Sequence, residues 1–156
     1  MSDSARTALI DSLNAFRGHI IDSCELLTDE QARTHLVTSK TTPLGIVRHL
    51  IAVEHYWFRH VLTGGPISDD WINGGDDDPE WEVEGLSVHA MTAIYRDAIA
   101  ECNSLIGNIA MDASSKIEHH GEHVTLAWIL LHMVEETACH LGHMEILVEQ
   151  LLADKS

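Results

Sequence analysis

This sequence predicts an all-α fold, a four-helix bundle with a long crossover between its second and third helices. Three observations carry that prediction. Four stretches place apolar residues at three- and four-residue steps, as one buried stripe of an amphipathic helix requires. No alternating apolar–polar run of useful length suggests a strand. The connections are unequal, long between the second and third stretches and shorter between the third and fourth, which fits a non-sequential bundle. One domain, residues 1–156, accounts for the whole chain.

The first helix is expected from about Asp3 to Leu27, with Leu9, Leu13, Phe16, Ile20 and Leu27 keeping the helical period. Thr28 opens a capping-box pattern, TDEQ, that predicts a short turn of helix reaching His35. Thr42-Pro43 announces the second long helix, the threonine as cap and the proline in the first turn. Ile46, Leu50, Val53, Trp57 and Val61 face inward along it, and Gly64-Gly65-Pro66 ends it. Ile67 to Leu86 is rich in turn formers and acids, and reads as a crossover pinned by Trp71 and Trp81. Ser87 caps the third long helix, with Met91, Ile94, Tyr95, Ala98, Cys102, Leu105 and Ile109 on one side. A polar return loop, MDASSKIEHHGEHV, leads to the fourth, Thr125 to Leu152, whose stripe is Leu126, Leu130, Met133, Thr137, Met144, Leu147 and Leu151.

Nine Lys and Arg against 25 Asp and Glu give a formal charge of −16, which argues against nucleic acid and anionic membrane surfaces. No charge-free apolar run approaches the length of a transmembrane helix, and the amino terminus lacks the pattern of a secretory signal. A cytoplasmic protein is the expectation. Cys24, Cys102 and Cys139 are far apart and form no CxxC pair, as suits reduced thiols. Long apolar helices leave surface on which two copies could pair as a homodimer.

The chemistry gathers on the fourth helix. Glu136 and His140 stand four residues apart, about 6 Å along the axis and on the same side. A carboxylate and an imidazole turned towards a core are costly without partners. His49, on the edge of the second helix's stripe, could complete a set of two nitrogens and one oxygen. Such a set suits zinc with an open coordination position, and also iron(II), nickel or cobalt. The same spacing equally describes a hydrogen-bonded Glu136–His140 pair without metal, and spacing does not choose between them. His132, one turn before Glu136, is a candidate further ligand, an outer donor or a proton acceptor, or else a pocket-wall histidine.

Other histidines read as structural or solvated. His143 is expected against a neighbouring helix, while His119, His120 and His123 form a rival cluster on a loop too flexible for a preorganised centre. His55 is expected exposed, and His60 could approach the pocket. Trp57, Phe58 and Trp128 read as core, Glu135 as solvated and Cys139 as packing. HExxH, Glu-x-x-His, GxGxxG, the phosphate loop and GxSxG are all absent.

TPLGIVRHLIAVEHYWFRHVLTG followed by TLAWILLHMVEETACHLGHMEILVEQL resembles the DinB-like metal-binding bundle superfamily. The likeness is closest to the branch holding mycothiol-dependent transferases and the mini-circle proteins. It runs from the TDEQ turn through the PLG opening of the second helix and the tryptophan-containing crossover to the ETACHLGHMEIL ending. It implies one divalent ion, zinc foremost with nickel or iron as alternatives, held by His49, Glu136 and His140. Glu136 stands where many relatives carry histidine, and the mycothiol-dependent branch is similar in using glutamate there. The activity implied is a metal-dependent thiol S-transferase that activates a low-molecular-weight thiol, mycothiol or similar, for attack on a small electrophile. A metal-dependent hydrolase and a non-catalytic bundle holding metal or small ligand are the alternatives.

Overall fold

The computed structural model describes residues 3–67 and 81–153. Helix α1 spans Asp3–Glu25 and the single turn α2 spans Asp29–Ala32. Helix α3 spans Pro43–Glu54 and continues as a π-helical segment, His55–Leu62. Helix α4 spans Val88–Ile106 and α5 spans Leu126–Ala153. Trp71, expected to pin the crossover, lies outside the described residues.

The helix starts follow from local chemistry. Thr28 makes the full capping box with Gln31, and the Thr42 hydroxyl accepts from the Gly45 amide ahead of Pro43 in the first turn. Ser87 caps α4 through the Ala90 amide. Each hydroxyl satisfies an amide that the helix itself leaves unpaired. The turn α2 stops at Ala32, three residues short of the expected His35.

Around the bundle, α1 packs mainly along α5 and α3 mainly along α4, while α1 and α3 face each other across the middle. The consecutive helices α4 and α5 are therefore not neighbours, and the order is non-sequential. Two apolar clusters fill the interior. One includes Ile20, Leu44, Leu50, Tyr95 and Met144, and the other Leu13, Phe58, Val61, Leu126 and Met133.

Between the clusters runs a polar layer. Arg17 of α1 meets Glu54 of α3 in a bidentate pair, Nε to Oε1 at 2.6 Å and Nη2 to Oε2 at 2.5 Å. Arg17 Nη1 donates to Asn14 and Asn103, and the guanidinium lies 5.7 Å from the Phe58 ring centroid. Both charges are fully enclosed. A buried pair of this kind survives because the fork geometry and the flanking amides satisfy the guanidinium.

A single regular helix was expected from Pro43 to Leu62. Instead the π-helical hydrogen-bonding pattern begins at His55, and at that junction Cys102 Sγ donates to the Glu54 carbonyl at 3.6 Å. The return loop carries two isolated antiparallel bridges, Ser114–Thr125 and His119–Glu122. His120 at φ 52° and Gly121 at φ 82° form the tight two-residue turn of the second bridge.

Three side chains expected to pack inside lie at the surface instead. Ile94 is 48% exposed, because Met91, Tyr95, Ala98 and Cys102 take the inner line of α4 and leave it at the edge. Trp128 is 41% exposed rather than core, and Cys139 is exposed rather than packed. Among the described residues no helix is long and apolar enough to cross a membrane.

Candidate metal centre

His49 comes from the middle of α3, and Glu136 and His140 come from successive turns of α5. Their side chains meet where the two helices face each other. His49 Nε2 lies 3.0 Å from Glu136 Oε1, and His140 Nε2 lies 3.1 Å from the same oxygen. The two rings stand 4.7 Å apart between centroids. Side-chain exposures of 17%, 27% and 16% for His49, Glu136 and His140 leave the group enclosed yet reachable.

Hydrogen bonds from His140 and then His49 hold the Glu136 carboxyl well below the usual carboxylate range, although burial alone would raise it. It is thus an anion facing two imidazole nitrogens. All three donor atoms lie within 4.8 Å of one another. A tetrahedral shell with bonds of about 2.0–2.2 Å separates neighbouring donors by roughly 3.3–3.6 Å. The two nitrogen–oxygen spacings, 3.0 and 3.1 Å, are close to that, so the donor set fits a divalent cation once the side chains adjust around it.

Buried polar atoms beside the group also lack partners among the described residues. If both Nε2 atoms carry protons and donate to Glu136, His140 Nδ1 is left a buried acceptor, and it has no partner among the described residues. Such an orphan costs about 1–3 kcal/mol. Thr137 Oγ1, three residues earlier and so a neighbour on the helix, is likewise buried without a partner.

Trp81, at the end of the crossover, stacks on His49 with centroids 5.4 Å apart and planes 13° from parallel. The approach is possible because residue 45 is glycine. A Cβ there would lie 2.7 Å from Trp81 Cε3 and 3.0 Å from the Thr42 hydroxyl oxygen. A glycine early in an otherwise apolar helix is the signal in the sequence for such a close approach.

His132 does face the α3 side of α5, one turn before Glu136, but its ring lies in an aromatic stack. It is 10° from parallel with Trp128 at 5.2 Å and edge-on to Trp57 at 4.7 Å. His119, expected in solvent, is brought down by its hairpin onto Trp57 at 4.6 Å, and its Nδ1 is 3.3 Å from the Tyr56 hydroxyl. His120 and His123 are exposed. His55 is half-buried beside Glu101, not exposed, and burial holds it below the usual histidine range. His60 lies 3.1 Å from the Gly65 carbonyl through Nδ1, at the end of the helix and not at the centre. His143 is exposed, its ring edge-on to His140 at 5.6 Å. Glu135 is exposed as expected.

Among the described residues the His49–Glu136–His140 group alone has the convergence a metal ion needs. No curated protein matches the chain. The sequence model of the mycothiol-S-transferase family matches residues 8–153, nearly the full length, and the chain belongs to that family.

Proposed function

We propose that the protein is a metal-dependent thiol S-transferase that joins mycothiol, or a similar low-molecular-weight thiol, to a small electrophile. The observation that carries this reading is the convergence of His49 Nε2 and His140 Nε2 on Glu136 Oε1 at 3.0 and 3.1 Å in a chain of this family. His49, Glu136 and His140 would hold one divalent ion, zinc first and nickel or iron next by the chemistry of the donors. Such an ion supplies Lewis acidity, lowering the pKa of a thiol so that its anion is available at neutral pH.

The chain's own groups prepare that chemistry. Glu136 brings one negative charge, which leaves the loaded centre net positive and attractive to a sulfur anion. Trp81 holds the plane of His49. The sulfur attacks carbon, a C–S bond forms, and the bond to the leaving atom breaks with its electron pair; with an epoxide, the ring oxygen then takes a proton. We assign acceptance of the thiol proton to His132, the imidazole one turn before Glu136 on α5. Three free cysteines, two of them buried, suit the reducing cytoplasm in which we place the reaction.

Two measurements test this. Elemental analysis of protein purified without a polyhistidine tag should find about one divalent ion per chain, falling sharply in His49→Ala, Glu136→Ala and His140→Ala. Turnover of a generic electrophile should require mycothiol, and His132→Gln should keep the metal while lowering kcat about 100-fold. Turnover that ignores the thiol would replace this reading with metal-dependent hydrolysis.

A further inference from the structure

The metal centre has two ends along the α3–α5 interface, and they differ. Towards the start of α5, the rings of Trp57, Trp128, His132 and His119 pack against one another with centroids 4.6–6.0 Å apart. That end is walled by aromatic and imidazole rings. Towards the other end, one turn past His140, lies a depression of about 360 Å³. Its walls are Val37, Ser39 and Thr41 from the segment before α3, and His143, Ile146 and Leu147 from α5.

The depression shares a wall with the centre, because the His143 ring stands edge-on to the His140 ring at 5.6 Å. Its floor is aliphatic. Val37 is 47% exposed and Ile146 56% exposed, so both hold apolar surface in water that a guest would cover. Among the described residues neither a carboxylate nor an ammonium lines it. Ser39 Oγ donates to Thr41 Oγ1 at 3.0 Å, which leaves the Thr41 hydroxyl hydrogen to give to an acceptor. A formal charge of −16 on the chain disfavours an anionic tail.

We propose that this depression seats the non-reacting end of the electrophile, and that this end is a compact uncharged apolar group such as a short alkyl chain or a single ring. The proposal rests on the thiol-transfer reading of the same centre. At roughly 30 Å³ for each water-sized unit, the space holds at most about twelve carbon-sized units, fewer for a guest that must also reach the centre. Chains up to about eight carbons gain from each added methylene, and longer ones do not.

Primary alcohols from propanol to octanol are unreactive probes of the site. Titrated into metal-loaded protein and followed by calorimetry and by the His143 ring signals in NMR, they should bind about three- to four-fold more tightly per methylene. Ile146→Asp should abolish that length dependence, and Val37→Trp, which fills the space, should weaken octanol binding at least ten-fold. Both positions are exposed, so metal content and helicity should be unchanged. Affinity that is independent of chain length, or indifferent to both substitutions, overturns the proposal. With 1,2-epoxyalkanes and mycothiol, the KM of the epoxide should fall with length while that of the thiol stays constant. Length-dependent alcohol binding without thiol-dependent turnover would remove the transferase reading alone; turnover with length-independent binding would remove the depression alone.

Discussion

Replacing Gly45 with alanine sets effects of opposite sign against each other. Inside a helix, alanine is favoured over glycine by about 0.8–1.0 kcal/mol. Position 45 is the third residue of α3, so at most that gain is available. Against it, the new methyl would sit 2.7 Å from Trp81 Cε3 and 3.0 Å from Thr42 Oγ1, where carbon atoms ordinarily rest about 3.5–4.0 Å apart. Trp81 must retreat by about 1 Å or tip off His49, and forced repacking of this kind costs about 1–3 kcal/mol. Any displacement of Thr42 also strains the cap it makes with the residue-45 amide at 3.0 Å, worth about 1 kcal/mol. The steric side wins, and Gly45→Ala should destabilise the protein by roughly 1–3 kcal/mol. Urea unfolding of metal-free protein measures this directly. In a Trp81→Ala background the same substitution should cost distinctly less, because the closer clash is gone and only the approach to Thr42 Oγ1 at 3.0 Å remains. Loss of the tryptophan against His49 should also weaken metal binding about 10–100-fold in a chelator competition. If Gly45→Ala is as stable as the parent chain or more so, with unchanged metal affinity, Trp81 does not hold His49 in the way described.

Removing one partner of the buried Arg17–Glu54 pair leaves an uncompensated charge in the core, so Glu54→Ala should cost about 3–5 kcal/mol in denaturant unfolding. Cys24 and Cys102 are buried and Cys139 exposed, so a thiol reagent should modify one cysteine in the folded protein and all three in denaturant. Burial, with the Glu25 and Asp29 carboxylates nearby, pushes the Cys24 thiol up to about 12, and burial likewise raises Cys102. The folded chain keeps these protons where the unfolded chain, with thiols near about 8.5, releases them. Their contribution to stability is therefore full below about pH 8.5 and is lost as pH rises above it. Cys24→Ala should flatten that decline, and an unchanged slope in its unfolding midpoints would refute the assignment. At φ 52°, His120 occupies a turn position that asparagine favours, so His120→Asn should raise stability by about 0.5 kcal/mol, read as a small rise in Tm.

Much of this protein is legible without coordinates because its helices carry their own signals. The stripe of α5 from Leu126 to Leu151 is buried as expected, and the caps at Thr28, Thr42 and Ser87 stand where their hydroxyls can reach an unpaired amide. The buried pair left a trace as well: Arg17 falls on the line of Leu13, Ile20 and Cys24, and Glu54 on that of Leu50, Phe58 and Val61. A charge on each stripe announces a partner, but not which one. The errors lie where a residue sits at the border of a stripe. Ile94 and Trp128 have the composition of core and the angular position of an edge, and helical period resolves neither.

Sequence alone determined what is local: helix starts and stops, the inward line of each helix, and the pairing of Glu136 with His140 four residues on, since one helix sets that geometry. Tertiary structure decided what depends on separate elements meeting. It brought His49 to Glu136, laid Trp81 over the glycine that admits it, paired Arg17 with Glu54 across the bundle, and drew His119 out of solvent onto Trp57. The reason is the range of the forces involved. Caps and periodicity act within a turn or two of chain, whereas the partner across a core follows from how whole helices pack, which many distant residues set together.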